Sequence, residues 1–107
     1  MKPQIKEKWI AALRSGKYKQ GHAVLKQTYD DQDLYCCLGV LCDLYIKDKK
    51  LKRTTSIMRG SYLPLNVQEW SGLRDGEGSY GNGNLVHDND LKRKSFKQIA
   101  NIIEKYL

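Results

Sequence analysis

Three stretches of this chain carry residue types whose spacing suits chemistry. The first is "YCCLGVLCDLY", residues 35–45, which holds all three cysteines. Its helical pattern puts Cys36 and Cys37 at a helix start, where the dipole favours thiolate. His87, with Asp88 or Asn89 beside it, then supplies a base and its orienting partner for a cysteine-dependent hydrolase. As metal ligands the same cysteines fail on spacing. The pattern C-C-x4-C lacks the two C-x(2–4)-C pairs of structural zinc, and neighbouring helical residues point about 100° apart. No metal and no cofactor is expected. Free cysteine also packs as a small hydrophobe, which makes the stretch core and leaves no catalytic residue.

The second stretch is "RSGKYKQG", residues 14–21. Arg14, Lys17 and Lys19 flank Tyr18 between two glycines. Cations interleaved with an aromatic suit contacts to phosphate and to a flat ring together. The competing reading is a solvated loop whose tyrosine covers the core. The third is "GEGSYG", residues 76–81, which matches G-x-G-x-x-G in form. A dinucleotide fingerprint needs a strand before it and a helix after it, and neither pattern is present. The reading is a flexible glycine loop with Tyr80 at its centre as a lid over a ligand. "HDND", residues 87–90, is too short for a calcium loop, which takes about a dozen residues of spaced oxygens. Turn and cap chemistry suits it better.

These stretches need elements to position them. Residues 3–14 read as an amphipathic helix, with Pro3 in the first turn and Ile5, Trp9, Ala12 and Leu13 on one face. Gly16 supplies the stop. "HAVLKQTYDDQDLYC" reads as a hairpin turning through "DDQD". Residues 36–46 read as a second helix, apolar most of the way round and therefore buried. Gly39 in its middle implies that another backbone crosses close by. Residues 47–61 read as a basic loop. "YLPLNVQEWSGL" gives a short helix opened by Pro64 and ended by Gly72, with Val67 and Trp70 facing one way. "LVHDND" gives a helical turn started by Asn84. "SFKQIANIIEKYL" closes the chain as a helix with a Ser95/Gln98 capping box and an apolar face of Phe96, Ile99, Ile102, Ile103 and Tyr106. The expectation is one mostly helical α+β domain over residues 1–107. A buried central helix, about 36–46, is packed by the N- and C-terminal amphipathic helices and Trp70, with a small β-hairpin.

Charge narrows the partner class. The net charge of +7 falls in blocks. Residues 1–29 hold seven Lys/Arg against one acid, residues 30–46 hold four aspartates and no base, and residues 92–107 hold five bases against one acid. Basic surface favours anionic partners, whether nucleotides, nucleic acid or an acidic protein face. Mere solubility is the competing explanation. The basic runs 47–53 and 92–97 are the candidates for nucleic acid. No apolar run approaches the roughly 20 residues of a membrane span. "MKPQIKEKW" lacks the apolar core of a secretory leader, and the odd count of cysteines suits a reducing compartment.

Four motifs together resemble small accessory proteins of tailed phages and prophages: "WIAALRSGKYKQG" at 9–21, "YCCLGVLCDLY" at 35–45, "LPLNVQEWSGL" at 63–73 and "SFKQIANIIE" at 95–104. The resemblance covers most of the chain and brings a setting without a mechanism. It implies an uncharacterised protein acting in the bacterial host cytoplasm, where such proteins counter host defence by binding a defence protein or a signalling nucleotide. A cysteine opening a buried helix with a histidine downstream also loosely resembles papain-like cell-wall peptidases. "CCLG" departs from their aspartate-cysteine-serine-glycine core, and the chain is short for that fold. The resulting expectation is a non-enzymatic anti-defence protein that holds an anionic small molecule through Arg14, Lys17, Tyr18, Lys19 and Tyr80. Nucleic-acid binding, cysteine hydrolysis and homo-oligomerisation stay open beside it.

Overall fold

The computed structural model describes residues 1–52 and 58–107. The chain runs α1 (Pro3–Arg14), β1 (Lys19–Gln20), β2 (Lys26–Tyr29), β3 (Gln32–Tyr35), α2 (Cys37–Asp48), α3 (Leu65–Ser71), β4 (Ser79–Tyr80), β5 (Gly83–Asn84), α4 (Leu85–Asp90) and α5 (Phe96–Tyr106). It is an α+β fold, mostly helical. The basic loop read over 47–61 is only partly present, because α2 runs on to Asp48. Residues 53–57, including Arg53 of the 47–53 basic run, lie outside the described residues.

Helix α1 starts at Pro3, whose missing N–H costs nothing in a first turn. It buries Trp9, Ile10 and Leu13, and the Trp9 indole donates to the Cys37 carbonyl of α2 at 2.9 Å. That bond satisfies a buried N–H and fixes how α1 meets α2. After α1 the backbone turns at Gly16 (φ 76°), a left-handed position where glycine carries no Cβ penalty.

The hairpin forms, with a tighter turn than the one read from "DDQD". Asp30 (φ 52°) and Asp31 (φ 60°) alone make the corner, so Gln32 and Asp33 belong to β3. Two successive left-handed residues match the right-handed twist of the flanking strands, and Asp tolerates that region. The register pairs Lys26 with Tyr35 and Tyr29 with Gln32. Strand β1 then joins β3 in parallel, Lys19 beside Leu34 and Gln20 beside Tyr35, giving the order β1-β3-β2.

Helix α2 buries every residue from Cys37 to Cys42, and Ile46. Leu25 carries its backbone across the first turn. A Cβ on Gly39 would stand 1.8 Å from the Leu25 carbonyl oxygen, so only glycine fits. The same carbonyl accepts from the Cys36 N–H at 3.2 Å. The backbone crossing expected at Gly39 is present.

Pro64 caps α3 from just outside and Gly72 ends it at φ 81°. Val67 is buried, while Trp70 is half-buried, edge-on to Tyr45 at 5.3 Å and bonded to Asp48. Asn84 caps α4 on the His87 N–H at 2.8 Å. Ser95 and Gln98 form the reciprocal box that opens α5. The principal partners of α5 are α1 and α4, and its buried Phe96, Ile99, Ala100 and Ile103 join the same core as α2. Ile102 and Tyr106 lie towards the surface, Tyr106 being 52% exposed. Among the described residues no helix is long and apolar enough to cross a membrane.

Candidate functional site

Helix α1, the 17–19 segment, the three-stranded sheet and α2 surround an open cleft of about 760 Å³. That volume lies within the range of small-molecule sites. One wall is the last turn of α1, with Ala11, Ala12 and Ser15. Lys17, Tyr18 and Lys19 enter next, because parallel pairing of β1 with β3 draws this segment onto the sheet. Lys26, Gln32, Asp33 and Tyr35 come from the hairpin, and Asp43, Leu44, Ile46 and Lys47 from α2. Met58 completes the lining.

Two rings form the centre. Tyr18 and Tyr35 meet edge to face, with centroids 5.0 Å apart and planes at 89°. Such a pair is held by the quadrupoles of the rings as well as by their area. Lys47 lies over the Tyr18 ring at 5.5 Å and Lys26 over Tyr35 at 5.6 Å. The Tyr18 hydroxyl donates to Asp43 Oδ2 at 2.5 Å, and Lys47 Nζ meets the same oxygen at 2.9 Å. Burial, followed by the bond to Asp43, pushes the Tyr18 hydroxyl up to about 12. The bond to Asp43 likewise raises Lys47 above the ordinary lysine value, so it stays charged.

Four lysines against two aspartates give this lining a positive excess. Lys47 is matched by Asp43, and Lys26 by Asp33 at 3.8 Å. Among the described residues Lys17 and Lys19 have no acidic partner. Lys19 donates once, to Gln32 Oε1 at 2.8 Å, and an ammonium has three N–H donors. The cleft therefore pairs cations of unspent charge with an aromatic centre.

Of the five residues the sequence singled out, Lys17, Tyr18 and Lys19 come together here. Arg14 does not join them. Its guanidinium is taken by α5, donating to Asn101 Oδ1 at 2.8 Å and pairing with Glu104 at 3.3 Å. Tyr80 is no lid on this cleft either. The "GEGSYG" loop folds back as the β4–β5 ribbon. There the Tyr80 hydroxyl donates to Asp88 and its ring stacks on Tyr106 at 5.2 Å. Burial and the Asp88 bond raise its pKa. Sequence reasoning missed Lys26, Tyr35, Asp43 and Lys47. A cross-strand partner at Lys26–Tyr35 and an i,i+4 pair at Asp43–Lys47 were the signals on offer.

The three thiols are all buried. Cys36 is the N-cap of α2 and its sulfur accepts from the Gly39 N–H at 3.4 Å. Burial raises Cys36 to about 11 and carries Cys37 and Cys42 upward as well, against the pull of the helix dipole. A nucleophile needs the opposite shift. His87 is exposed on α4. Its neighbours are structural: Asp88 is 1% exposed under Tyr80, and Asn89, fully buried, accepts from Gln20 and the Cys37 N–H. Among the described residues no group of His, Cys, Asp and Glu is placed to hold a metal ion.

Neither a curated protein nor a solved structure matches the chain. One family model does, over residues 1–107, the full length across which the cleft, its sheet and its helices are built. The chain therefore belongs to the family described as a domain of unknown function, DUF8296.

Proposed function

We propose that this protein is a non-enzymatic binding protein whose cleft takes an anionic, ring-bearing small molecule of the nucleotide class. The observation that carries the reading is the pair Lys17 and Lys19, cations without an acidic partner among the described residues, at the edge of the Tyr18–Tyr35 centre. Phosphate oxygens satisfy the ammonium groups, and a planar ring packs on the tyrosines. Ser15 adds a hydroxyl to the lining and Leu44 an apolar side chain. A cleft of this volume suits a small ligand held without bond-making. The resemblance of its motifs to phage accessory proteins gives this binding a purpose: removing a host signalling nucleotide from the bacterial cytoplasm and so countering defence.

Calorimetric titration at low salt with AMP, ADP and cyclic dinucleotides tests the reading. At least one of them should bind, and the double variant Lys17→Glu/Lys19→Glu should lose at least about tenfold in affinity while keeping its melting temperature. A folded double variant that binds as the wild type does would end it. A protein that bound duplex DNA through its exposed lysines would instead lose affinity steeply with salt, by about 0.9 log units per log unit of salt for each phosphate contacted.

A further inference from the structure

Asp43 sits where an anion-binding cleft should not want a carboxylate. It lines the cleft, and its side chain is only 16% exposed. The Tyr18 hydroxyl and Lys47 Nζ both converge on Oδ2. Among the described residues no donor reaches Oδ1. A carboxylate takes about four hydrogen bonds over its two oxygens, so Oδ1 has unused capacity at the wall. Lys47 already neutralises Asp43, so Lys17 and Lys19, without an acidic partner among the described residues, are the cations left for a phosphate. A ligand that fills the cleft must then present a hydrogen-bond donor to Asp43. An exocyclic amino group on the ligand's base is such a donor.

Resting on the nucleotide reading of the cleft, we infer that Asp43 is its specificity-determining residue: Oδ1 accepts from a ring amino group of the ligand whose phosphate lies on Lys17 and Lys19. Tyr18 and Lys47 position that carboxylate by holding Oδ2. They also fix what a substitution does. Both are donors, so in Asp43→Asn the carboxamide oxygen stays with them and the amide N–H2 faces the free side. Acceptor becomes donor at the reading position.

The test compares AMP with purine riboside 5′-monophosphate, the same molecule without its amino group, by calorimetry on the wild-type protein. The wild type should bind AMP about tenfold or more tightly than the analogue, as expected for a hydrogen bond to a charged acceptor. Equal affinities overturn the assignment of Asp43 and leave the cleft as a nucleotide site. Failure of both ligands to bind overturns this inference, and the nucleotide reading falls with it only if ADP and the cyclic dinucleotides also fail to bind. In Asp43→Asn, checked for folding by circular dichroism, the preference should fall to about twofold or less. A folded variant that keeps the tenfold preference shows that another group reads the amino function, and overturns the inference.

Discussion

Tyr18 shows how single contacts set this site. Its hydroxyl is half withdrawn from water and donates to a carboxylate, so ionising it would place two anions on one hydrogen bond. The folded-state pKa rises to about 12 from the ordinary 10.0. A raised value means the fold favours the protonated phenol. That contribution to stability is complete below pH 10, where both states are protonated. It is lost as pH rises from about 10 to about 12, because the unfolded chain releases its proton first. Phenolate absorbance against pH should therefore show a component near pH 12 that disappears in Tyr18→Phe. An unchanged titration in that variant would contradict the hydrogen bond. The thiols make a companion case. Buried and raised above the ordinary value, Cys36, Cys37 and Cys42 should resist iodoacetamide in the native protein and react once it is denatured. Rapid native labelling at Cys36 or Cys37 would restore the cysteine-enzyme reading.

At the scale of elements, the close approach of the Leu25 carbonyl to Gly39 holds the hairpin onto α2. Gly39→Ala cannot be accommodated by a side-chain shift, since the obstacle is backbone. It should cost about 3 kcal/mol or more in denaturant unfolding, the upper range for overpacking. A loss within 0.5 kcal/mol, the ordinary size of a neutral surface change, would mean the crossing is looser than described. Ser95→Ala, which removes one half of the α5 capping box, should cost about 1 kcal/mol and leave the cleft intact. Helices of this kind were legible in the sequence because caps and a 3.6-residue period are local. The ends of α1 and the box at Ser95 and Gln98 stand where the sequence places them. Strand β1 was not legible: two residues carry no period, and their partners on β3 lie fifteen positions downstream. The hairpin was legible in kind but its register was not. Placing all of "DDQD" in the turn hides the pairing of Lys26 with Tyr35.

For the whole molecule, the cleft draws on α1, the 17–19 segment, the hairpin and α2, so no single stretch of sequence displays it. Lys17, Tyr18 and Lys19 were readable as a candidate because they are adjacent. Arg14 looked equivalent and is not, since its fate depends on Asn101 and Glu104 at the other end of the chain. Tyr80 is likewise claimed by Asp88 and Tyr106. The net charge of +7 attracts many anions weakly, and only a located site separates a specific ligand from that background. Bound ligand should stabilise the fold by about 2.7 kcal/mol at a hundred times its Kd. The most direct test of the account is an amide-resolved NMR titration with AMP at physiological salt. Saturable shifts confined to residues 15–19, Lys26, Asp33, Tyr35 and the 43–47 turn of α2 are the expected result. Shifts centred on residues 92–97, or weak shifts spread over all exposed lysines without saturation, would contradict it.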